Sequence, residues 1–533
     1  MDYRGNFALC RLICLVWPML VVVSCVRAPL QDEFTLIVAQ SAEPKSLDPH
    51  VATSLNDFRI LENVFEGLVR FKPLSLEIES ALAVSWEVTP DGLAYTFQLR
   101  PGVFFHDGSP LNAEAVKFSF ERMLIPTHPA HDTGPFPLAF FFSQIDAIEV
   151  IDTLSVRFHL KEPYAPFLPN LAYPTGFIVS QAALEGNKRH EFGRHPSGTG
   201  PFRVGDWHAN RFVRLEGNPL WRGKPPALKA IFFRPFTDEN ARVASLLSGE
   251  SHIVVEMPAD LITHFRKNPE FNVLEASGPH VWFLIFNTRV GPLRDSRVRQ
   301  AVNLAIDKRA LVEDLLQGSA TIAKGPIPEA FGMSCDPTID GWPYDPEKAR
   351  QLVREAGAVG LVLTLLTTEG GSGMLDPKSM ATAIQSDLAK VGLVAEIETY
   401  EWNTFLKKVN SGLEGNADMA QMAWMTNDPD TLLFLAFRSE AMPENGGFNS
   451  GYYSNSEVDL LIEEARREID PSRRQGLYHR IQRIIHEDAP CAFIASWRQN
   501  AVTTRSVQGL QLEPSFLLRL GDVSLNFSME AED

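Results

Sequence analysis

The chain has 533 residues, of which 45% are hydrophobic. A chain of this size usually divides its apolar residues among more than one hydrophobic core. It carries 49 Lys and Arg against 66 Asp and Glu, a formal net charge of −17, so no nucleic-acid partner is expected. The 10% aromatic content excludes a disordered protein and favours an ordered chain of two or three lobes.

The N-terminal segment has the layout of an export signal. Two arginines precede an apolar run from Leu12 to Val23, which is too short to cross a bilayer comfortably. The run ends in Val22-Val23-Ser24-Cys25, which resembles the bacterial lipobox. The resemblance implies a signal peptide over residues 1–24 and a lipid anchor at Cys25. The alternative is an ordinary signal peptide with an incidental cysteine.

The remaining cysteines leave one possible disulfide. Cys10 and Cys14 lie within the signal segment, so only Cys335 and Cys491 could pair in an oxidising exterior. Their spacing does not decide whether they do. Cys491 lies in an apolar stretch and is equally explained as a core residue.

Strand and helix patterns mix along the mature chain, which predicts an α/β fold. Residues 95–100 alternate apolar and polar side chains, as a half-buried strand does. Asn112 is predicted to cap a helix that Pro126 ends, with its apolar residues on one face.

Further helices are predicted in the second half of the chain. One begins near Asp295, and Asp307 is predicted to cap the next, over Leu311 to Leu316. Two more, over 457–468 and 473–487, carry apolar residues at helical spacing and are predicted to pack as a pair.

A series of short motifs follows along the chain in a fixed order. Together they resemble the motifs of the family 5 extracellular solute-binding proteins, the oligopeptide, dipeptide and nickel-binding subunits of ABC importers. Each motif alone is weak, but the series spans nearly the whole mature chain. The motifs are Pro44-Lys45-Ser46-Leu47-Asp48-Pro49-His50, Asn63-Val64-Phe65-Glu66-Gly67-Leu68, Ser85-Trp86, Asp91-Gly92, Phe105-His106-Asp107-Gly108, Gly198-Thr199-Gly200-Pro201-Phe202, Val298-Arg299-Gln300-Ala301-Val302, Tyr344-Asp345-Pro346-Glu347-Lys348-Ala349 and Trp424 with Asp428-Pro429-Asp430.

The resemblance implies a two-lobed α/β fold of the periplasmic-binding-protein type II class, with the extra domain of the peptide-binding family. Lobe I is expected to be discontinuous, and lobe II to cover 290–498. The extra domain is expected as an insertion in lobe I over 79–195. Lobe I would then consist of residues 34–78, 196–289 and 499–526.

The implied function is solute capture for an ABC importer. The chain is expected to bind peptides in the cleft between its lobes and to pass them to the membrane subunits of the transporter. It is expected to act as a monomer in the periplasm or at the cell surface, with no cofactor, no metal and no chemistry of its own. An extended peptide can add as a strand to a sheet edge, so main-chain bonds alone can supply affinity.

The resemblance also implies which residues line the cleft. Glu43 and Lys45 are expected from one lobe, and Trp402 and Trp424 from the other. Trp282 and Asn287, on and just after an apolar strand, are further candidates. For each tryptophan the alternative role is core packing.

One position departs from the family pattern. Peptide binders of this family usually place an Asp three residues after the cleft tryptophan, where it pairs with the ammonium group of the peptide. Here that position is Asn427, and Asp428 follows at once. Either Asn427 replaces the carboxylate, and the cargo is N-blocked, not a peptide or held by main chain only, or Asp428 takes over the amine-binding place. The proline after Asp428 restricts its backbone and favours the first alternative.

Enzymatic patterns are weak. Residues 197–200 lack the spacing of a nucleophile elbow, and residues 370–373 lack the Lys of a phosphate-binding loop. The loop over 128–132 contains two histidines and an aspartate, but no helix aims them at a metal. A non-peptide cargo, such as a nickel chelate, an oligosaccharide or an opine-like compound, remains an alternative, as does a secreted lipid-anchored hydrolase.

Overall fold

The computed structural model describes residues 34–185, 189–371 and 373–527. The predicted signal peptide over 1–24 and the predicted anchor Cys25 lie outside these ranges. Among the described residues, no helix is both long and apolar enough to pass through a membrane.

The strands of the described ranges are, in chain order, β1 (Thr35–Gln40), β2 (Val69–Phe71), β3 (Ile78–Ser80), β4 (Ala83–Val88), β5 (Ala94–Leu99), β6 (Ile145–Asp152), β7 (Ser155–Leu160), β8 (Phe202–His208), β9 (Phe212–Gly217), β10 (Ala230–Pro235), β11 (Ile253–Val255), β12 (Phe271–Ser277), β13 (His280–Phe286), β14 (Ala320–Ile322), β15 (Val362–Thr368), β16 (Val394–Tyr400), β17 (Met419–Met425), β18 (Cys491–Thr504), β19 (Val507–Gln508) and β20 (Ser524–Leu525).

The α-helices of the same ranges are α1 (Leu55–Val64), α2 (Ala113–Leu124), α3 (Phe167–Ala172), α4 (Gln181–Glu185), α5 (Glu239–Leu247), α6 (Ala259–Lys267), α7 (Ser296–Ala305), α8 (Lys308–Ala310), α9 (Pro346–Glu355), α10 (Pro377–Lys390), α11 (Trp402–Asn410), α12 (Pro429–Ala436), α13 (Ser456–Arg467) and α14 (Pro471–Asp488).

Strand β18 joins the two halves of one large mixed sheet. The strand order is β16-β15-β17-β13-β18-β11-β1-β10-β9-β8, and β12 and β14 also pair with β18. Residues 491–495 of β18 pair with β13, whereas residues 498–504 pair with β12. Strand β18 therefore runs through both halves of the sheet. The connection from β12 to β13 passes from one half to the other beside it.

Apolar side chains gather in separate clusters on the two sides of this crossing. The first half of the sheet packs against a large cluster drawn from residues 36–255 and 501–525. The second half is covered on its two faces by clusters drawn from residues 281–495. The described residues nevertheless pack as one compact unit, so the predicted lobe boundaries stay a prediction.

A smaller antiparallel sheet, ordered β4-β5-β7-β6, lies within the segment predicted as the extra domain. Helix α2 packs on it through Phe120, whose ring meets Phe158 edge-on at 5.1 Å. Phe97 meets Phe158 in the same way at 5.7 Å. Such edge-to-face aromatic contacts add to the free energy of apolar burial.

Local sequence signals correspond to these elements. Asn112 caps α2 by accepting a hydrogen bond from the Ala115 amide at 2.9 Å, as predicted. Asp295 caps α7, and the predicted paired helices are α13 and α14. The predicted helix from Leu311 differs, since after the short α8 the chain continues as a π-helical turn.

The two cysteines of the described chain are both free. Cys491 is buried at the start of β18, in the cluster that covers one face of the second half-sheet, and burial raises the pKa of its thiol. Core packing is thus the role in which the structure places this residue.

Candidate ligand-binding cavity

A cavity of about 430 Å³ lies between the core clusters of the two half-sheets. This is the size of a typical small-molecule site. On the side of the first half-sheet its lining is Thr53, Leu55, Phe58, Leu138, Phe141, Tyr173, Ser515 and Phe516. On the other side it is Pro279, Gly373, Trp402, Leu406, Asn410, Met422, Ala423, Trp424, Met425, Thr426, Asn427 and Phe448.

The cavity wall carries no charge. Among the described residues, no Asp, Glu, Lys, Arg or His lines it. Its polar side chains are hydroxyl and amide groups, and most of the remaining wall is aromatic or aliphatic. This wall is referred to below as the uncharged wall.

The last residues of β17 present a strand edge to the cavity. Met422 to Met425 pair with β13 on one side. On the other side β15 pairs with β17 only at Met419 and Ala420, and no further strand of the described chain takes its place. Main-chain donors and acceptors along 422–425 are therefore available at the cavity.

Trp402 lies at the start of α11, which Glu401 caps by accepting hydrogen bonds from the amides of Asn403 and Thr404. Its ring stacks on Phe405 at 5.9 Å with an interplanar angle of 19°. The loop at Gly371 closes over this ring, and a Cβ added there would lie 2.2 Å from it. Only glycine permits this approach, which fixes the indole at the cavity.

Trp424 lies on β17 and meets the Phe448 ring edge-on at 5.6 Å. It is half-buried, with part of its surface in the cavity lining. The structure therefore brings both Trp402 and Trp424 to the same cavity. Whether they bind a ligand stays a prediction.

Asn427 also lines the cavity, where its amide links two distant segments. Its Nδ2 donates to Oδ1 of Asn170 at 2.6 Å, and its Oδ1 accepts from the Thr431 hydroxyl at 3.2 Å. Asn170 in turn donates to the Tyr164 hydroxyl at 3.1 Å. The Asn427 side chain thus ties the turn after β17 to the segment predicted as the extra domain.

Asp428 points away from the cavity. Its Oδ1 receives a hydrogen bond from Arg474 at 2.5 Å and another from the Asp430 amide at 2.8 Å, which caps α12. The residue is 2% exposed. The alternative in which Asp428 reaches the amine of a ligand is therefore not the arrangement found here.

Asp428 belongs to a buried group of four charged side chains, referred to below as the ionic cluster: Asp428, Asp430, Arg466 and Arg474. Arg466 pairs with Asp430 at 2.5 Å, and its guanidinium lies 3.5 Å from the Phe434 ring centroid. Burial raises the pKa of Asp430 to about 6, against the opposing effect of Arg466.

Trp282 and Asn287 do not reach the cavity. Trp282 is fully buried, because every residue of β13 is covered on both faces of its sheet. The Asn287 side chain accepts from the amides of Arg289 and Val290, both at 3.2 Å, which shapes the turn after β13. Both side chains therefore lie in structural positions.

Glu43 and Lys45 also lie outside the cavity lining. The Glu43 carboxylate accepts from Trp207 Nε1 at 2.7 Å and from the Asn210 amide at 2.9 Å. Lys45 is exposed. The β8–β9 hairpin therefore occupies the Glu43 carboxylate, and ligand binding by Glu43 or Lys45 stays a prediction.

Several lining residues escaped sequence reasoning. Tyr173, Ser515 and Phe516 come from segments far apart in the chain and show no periodic pattern. Phe516 packs on the β12–β13 connection, where a Cβ added at Gly278 would lie 2.2 Å from its ring. The apolar run over 139–142 contains the cavity residue Phe141 and its buried neighbour Phe142. This run could have indicated one segment of the cavity lining from the sequence.

His280 connects the cavity to the crossing strands. Its Nδ1 accepts from the Trp497 amide at 2.9 Å, so its Nε2 carries the proton and donates to the Gly373 carbonyl at 2.8 Å. Burial lowers the pKa of His280 to about 4. The imidazole is thus held neutral beside the uncharged wall.

The predicted metal alternative finds no cluster in the described ranges, which contain no group of three or more His, Cys, Asp or Glu side chains arranged to hold an ion. In the loop over 128–132, His128 accepts from the Ala130 amide at 3.1 Å, and His131 bonds to the Arg122 carbonyl at 2.8 Å.

Comparison with known proteins agrees with the fold and with the motifs. Residues 77–442 match the family described as bacterial extracellular solute-binding proteins, family 5. Di/tripeptide-binding protein 2 of Pseudomonas aeruginosa is 35% identical, over 90% of this chain and 93% of that protein. Heme-binding protein A of Haemophilus influenzae is 34% identical, over 80% of this chain and 81% of that protein.

Solved structures are similar over the same span. HbpA2 from Haemophilus parasuis superimposes with a TM-score of 0.84 at 29% identity, covering 92% of this chain and 100% of that one. The periplasmic binding protein DppA from Helicobacter pylori, in complex with the peptide STSA, gives 0.76 at 30% identity, covering 92% and 98%. The predicted family and the predicted two-lobed α/β class are confirmed, and the chain belongs to family 5 of the bacterial extracellular solute-binding proteins.

Proposed function

We propose that this chain is the extracytoplasmic capture subunit of a peptide-type ABC importer, and that it binds its cargo in the cavity between the two half-sheets. The observation that carries the proposal is the open edge of β17 over Met422–Met425. An extended peptide backbone can pair with such an edge through its own N–H and C=O groups. The named binding of di- and tripeptides by a relative supports the same cargo class.

Closure around the cargo would produce the signal for the importer. The cavity receives side chains from both halves, so a ligand in it contacts both and favours the closed arrangement. The β12–β13 connection and β18 are the crossings about which the halves would move. We place lobe I, the extra domain and lobe II at the boundaries predicted from the sequence. The membrane subunits of the importer would then recognise the closed form.

The site of action in this proposal is the outer side of the membrane, with the chain held there as a monomer by acylated Cys25. The Cys25→Ser variant should lose the anchor and leave the membrane fraction after a high-salt wash. A single acyl chain binds membranes only marginally, so stable attachment needs more than one chain. Retention of the variant in washed membranes would contradict the anchor at Cys25.

The proposal also holds that the cargo leaves unchanged. Incubation of the protein with a bound peptide, followed by mass spectrometry, should return the intact peptide. Time-dependent cleavage that a cavity-filling variant abolishes would instead support the hydrolase alternative.

A non-peptide cargo is a second candidate, and the aromatic lining of the cavity is the observation that favours it. Trp402, Trp424, Phe141 and Phe448 present ring surface to any flat apolar ligand. One relative is named for heme binding. The uncharged wall gives no support to a metal chelate or an opine-like acid.

The two candidates separate in one experiment. The full chain is purified under native conditions, denatured, and the released small molecules are identified by tandem mass spectrometry. Peptide bonds in the released molecule are expected. The Ala423→Trp variant, which fills the cavity, is the matched control and should carry none of it. Co-purification of the same molecule with that variant would move the site elsewhere.

A further inference from the structure

Several residues of the cavity lining carry a neutral hydroxyl group, namely Thr53, Tyr173, Thr426 and Ser515. The Ser515 hydroxyl is buried, the residue being 6% exposed, and makes no hydrogen bond within the described chain. Where a hydroxyl group faces the cavity, a ligand can exchange a neutral hydrogen bond with it in place of water.

The carboxylates predicted for the cleft, Asp428 and Glu43, are already engaged. Asp428 pairs with Arg474 and Asp430 with Arg466, all within the ionic cluster. The Glu43 carboxylate is held by the β8–β9 hairpin. Among the residues that the structure describes, neither a carboxylate for an ammonium group nor a guanidinium for a carboxylate lines the wall.

A wall with only neutral partners disfavours charged groups on the ligand. An ammonium or carboxylate group that enters the cavity loses its water and meets only neutral partners, which leaves a buried charge uncompensated. An amide group loses little, because hydroxyls and the β17 edge replace its hydrogen bonds to water. The wall therefore selects amide-bearing molecules without charge.

We propose that the cargo is a small peptide-type molecule whose ends carry no charge, such as an N-acylated dipeptide amide or a cyclic dipeptide, with aromatic or branched apolar side chains. This inference rests on the proposed function, since it assigns the cargo class of the same cavity. It also accounts for Asn427, whose amide is used to hold Asn170 and not to bind an amine.

Calorimetry with two matched probes tests the inference on the purified full chain. The probes are Phe-Leu amide with a free amino group and the same dipeptide amide with an N-acetyl group. At pH 6 the acetylated probe should bind about tenfold more tightly or better, because the ammonium finds no counter-charge. The preference should shrink by pH 9, since a peptide amino group loses its proton at a pKa of about 7.7–8.0.

Two matched variants give an independent readout. Thr426→Asp should shift the preference at pH 6 toward the free amine relative to Thr426→Asn, which has the same shape without the charge.

The outcomes distinguish the two levels of the proposal. Equal or tighter binding of the free-amine probe at pH 6 would overturn the inference and leave the proposed function intact. Binding of neither probe, with a non-peptide molecule recovered from the native protein, would overturn the proposed function and the inference with it. Preference for the acetylated probe that responds to pH and to Thr426→Asp supports both.

Discussion

Two adjacent regions of the molecule use charge in opposite ways. The uncharged wall ends at Asn427, and the ionic cluster begins at the next residue, Asp428. The side chains of the cluster bind one another, cap α12 and connect it to α13 and α14. Carboxylates close to a ligand cavity in sequence can therefore serve the fold alone, while the cavity itself remains neutral.

The largest expected effect comes from opening the ionic cluster. Arg474→Met leaves Asp428 buried without its partner, which should lower the free energy of unfolding by about 3–5 kcal/mol. Denaturant unfolding measures the change. The neighbouring Arg473 is exposed, so Arg473→Met is the matched control and should change stability by less than about 0.5 kcal/mol.

Unchanged stability of Arg474→Met together with loss of ligand binding would assign the ionic cluster to the ligand site. The double variant with Asp428→Asn should recover part of the lost stability, because it removes the unpaired carboxylate.

A second effect follows from protonating the group that lies beside the uncharged wall. The unfolded imidazole of His280 has a pKa near 6.5, whereas burial lowers the folded pKa to about 4. Between these two pKa values the unfolded state binds more protons than the folded state. The neutral imidazole of the folded protein therefore contributes stability that is fully present above pH 6.5 and is lost as the pH falls toward 4.

The size of this loss is about 3 kcal/mol at most, from the difference of the two pKa values. Unfolding free energies of the wild type and of His280→Gln should be measured from pH 7 to pH 4, where only the wild type has this titration. The advantage of the wild type over the variant should decline with acid. Parallel curves would show that His280 does not contribute to the pH dependence of the unfolding free energy.

The third effect concerns the aromatic part of the wall. Trp402→Ala and Trp424→Ala should each weaken ligand binding by about 1–3 kcal/mol, with a smaller loss of stability than a core tryptophan would give. Calorimetry with the ligand recovered from the native protein measures it. Trp221→Ala, outside the cavity, is the control for affinity. Unchanged affinity in both cavity variants would assign their indoles to packing.

The smallest effect is expected at an exposed ion pair that joins the same two parts of the chain as Asn170 and Asn427 do. Arg467 lies 2.8 Å from Glu162 and both side chains are partly exposed. Arg467→Ala should change ligand affinity by less than about 1 kcal/mol, since water and salt screen such pairs. A larger loss would indicate that this contact, and not the buried amide bond, holds the closed arrangement.

The sequence predicted what depends on local chemistry. The cap at Asn112 and the helix start near Asp295 depend on contacts within three residues, so their signal is complete in a short window. Trp402 and Trp424 were assigned through a resemblance, and both lie at the cavity.

The sequence pattern could not distinguish Trp282 from Trp402 and Trp424, because an apolar strand has the same pattern whether its side chains line a cavity or fill a core. Ser515 and Phe516 depend on a loop after the last long strand folding back to the cavity. The charged partner of Asp428, Arg474, lies 46 residues along the chain, and no spacing rule indicates such a contact.

Strand β18 also bears on when the chain can fold. It begins at residue 491 of 533 and supplies the central partner for both β12 and β13. Neither half-sheet can be completed until this last part of the chain has been synthesised. Pairing of β18 with β11 joins Thr503 to Ile253, and such distant contacts form slowly. The large mixed sheet is therefore expected to form only after β18 has been synthesised, whereas the smaller β4-β5-β7-β6 sheet, whose strands are close in sequence, can form earlier.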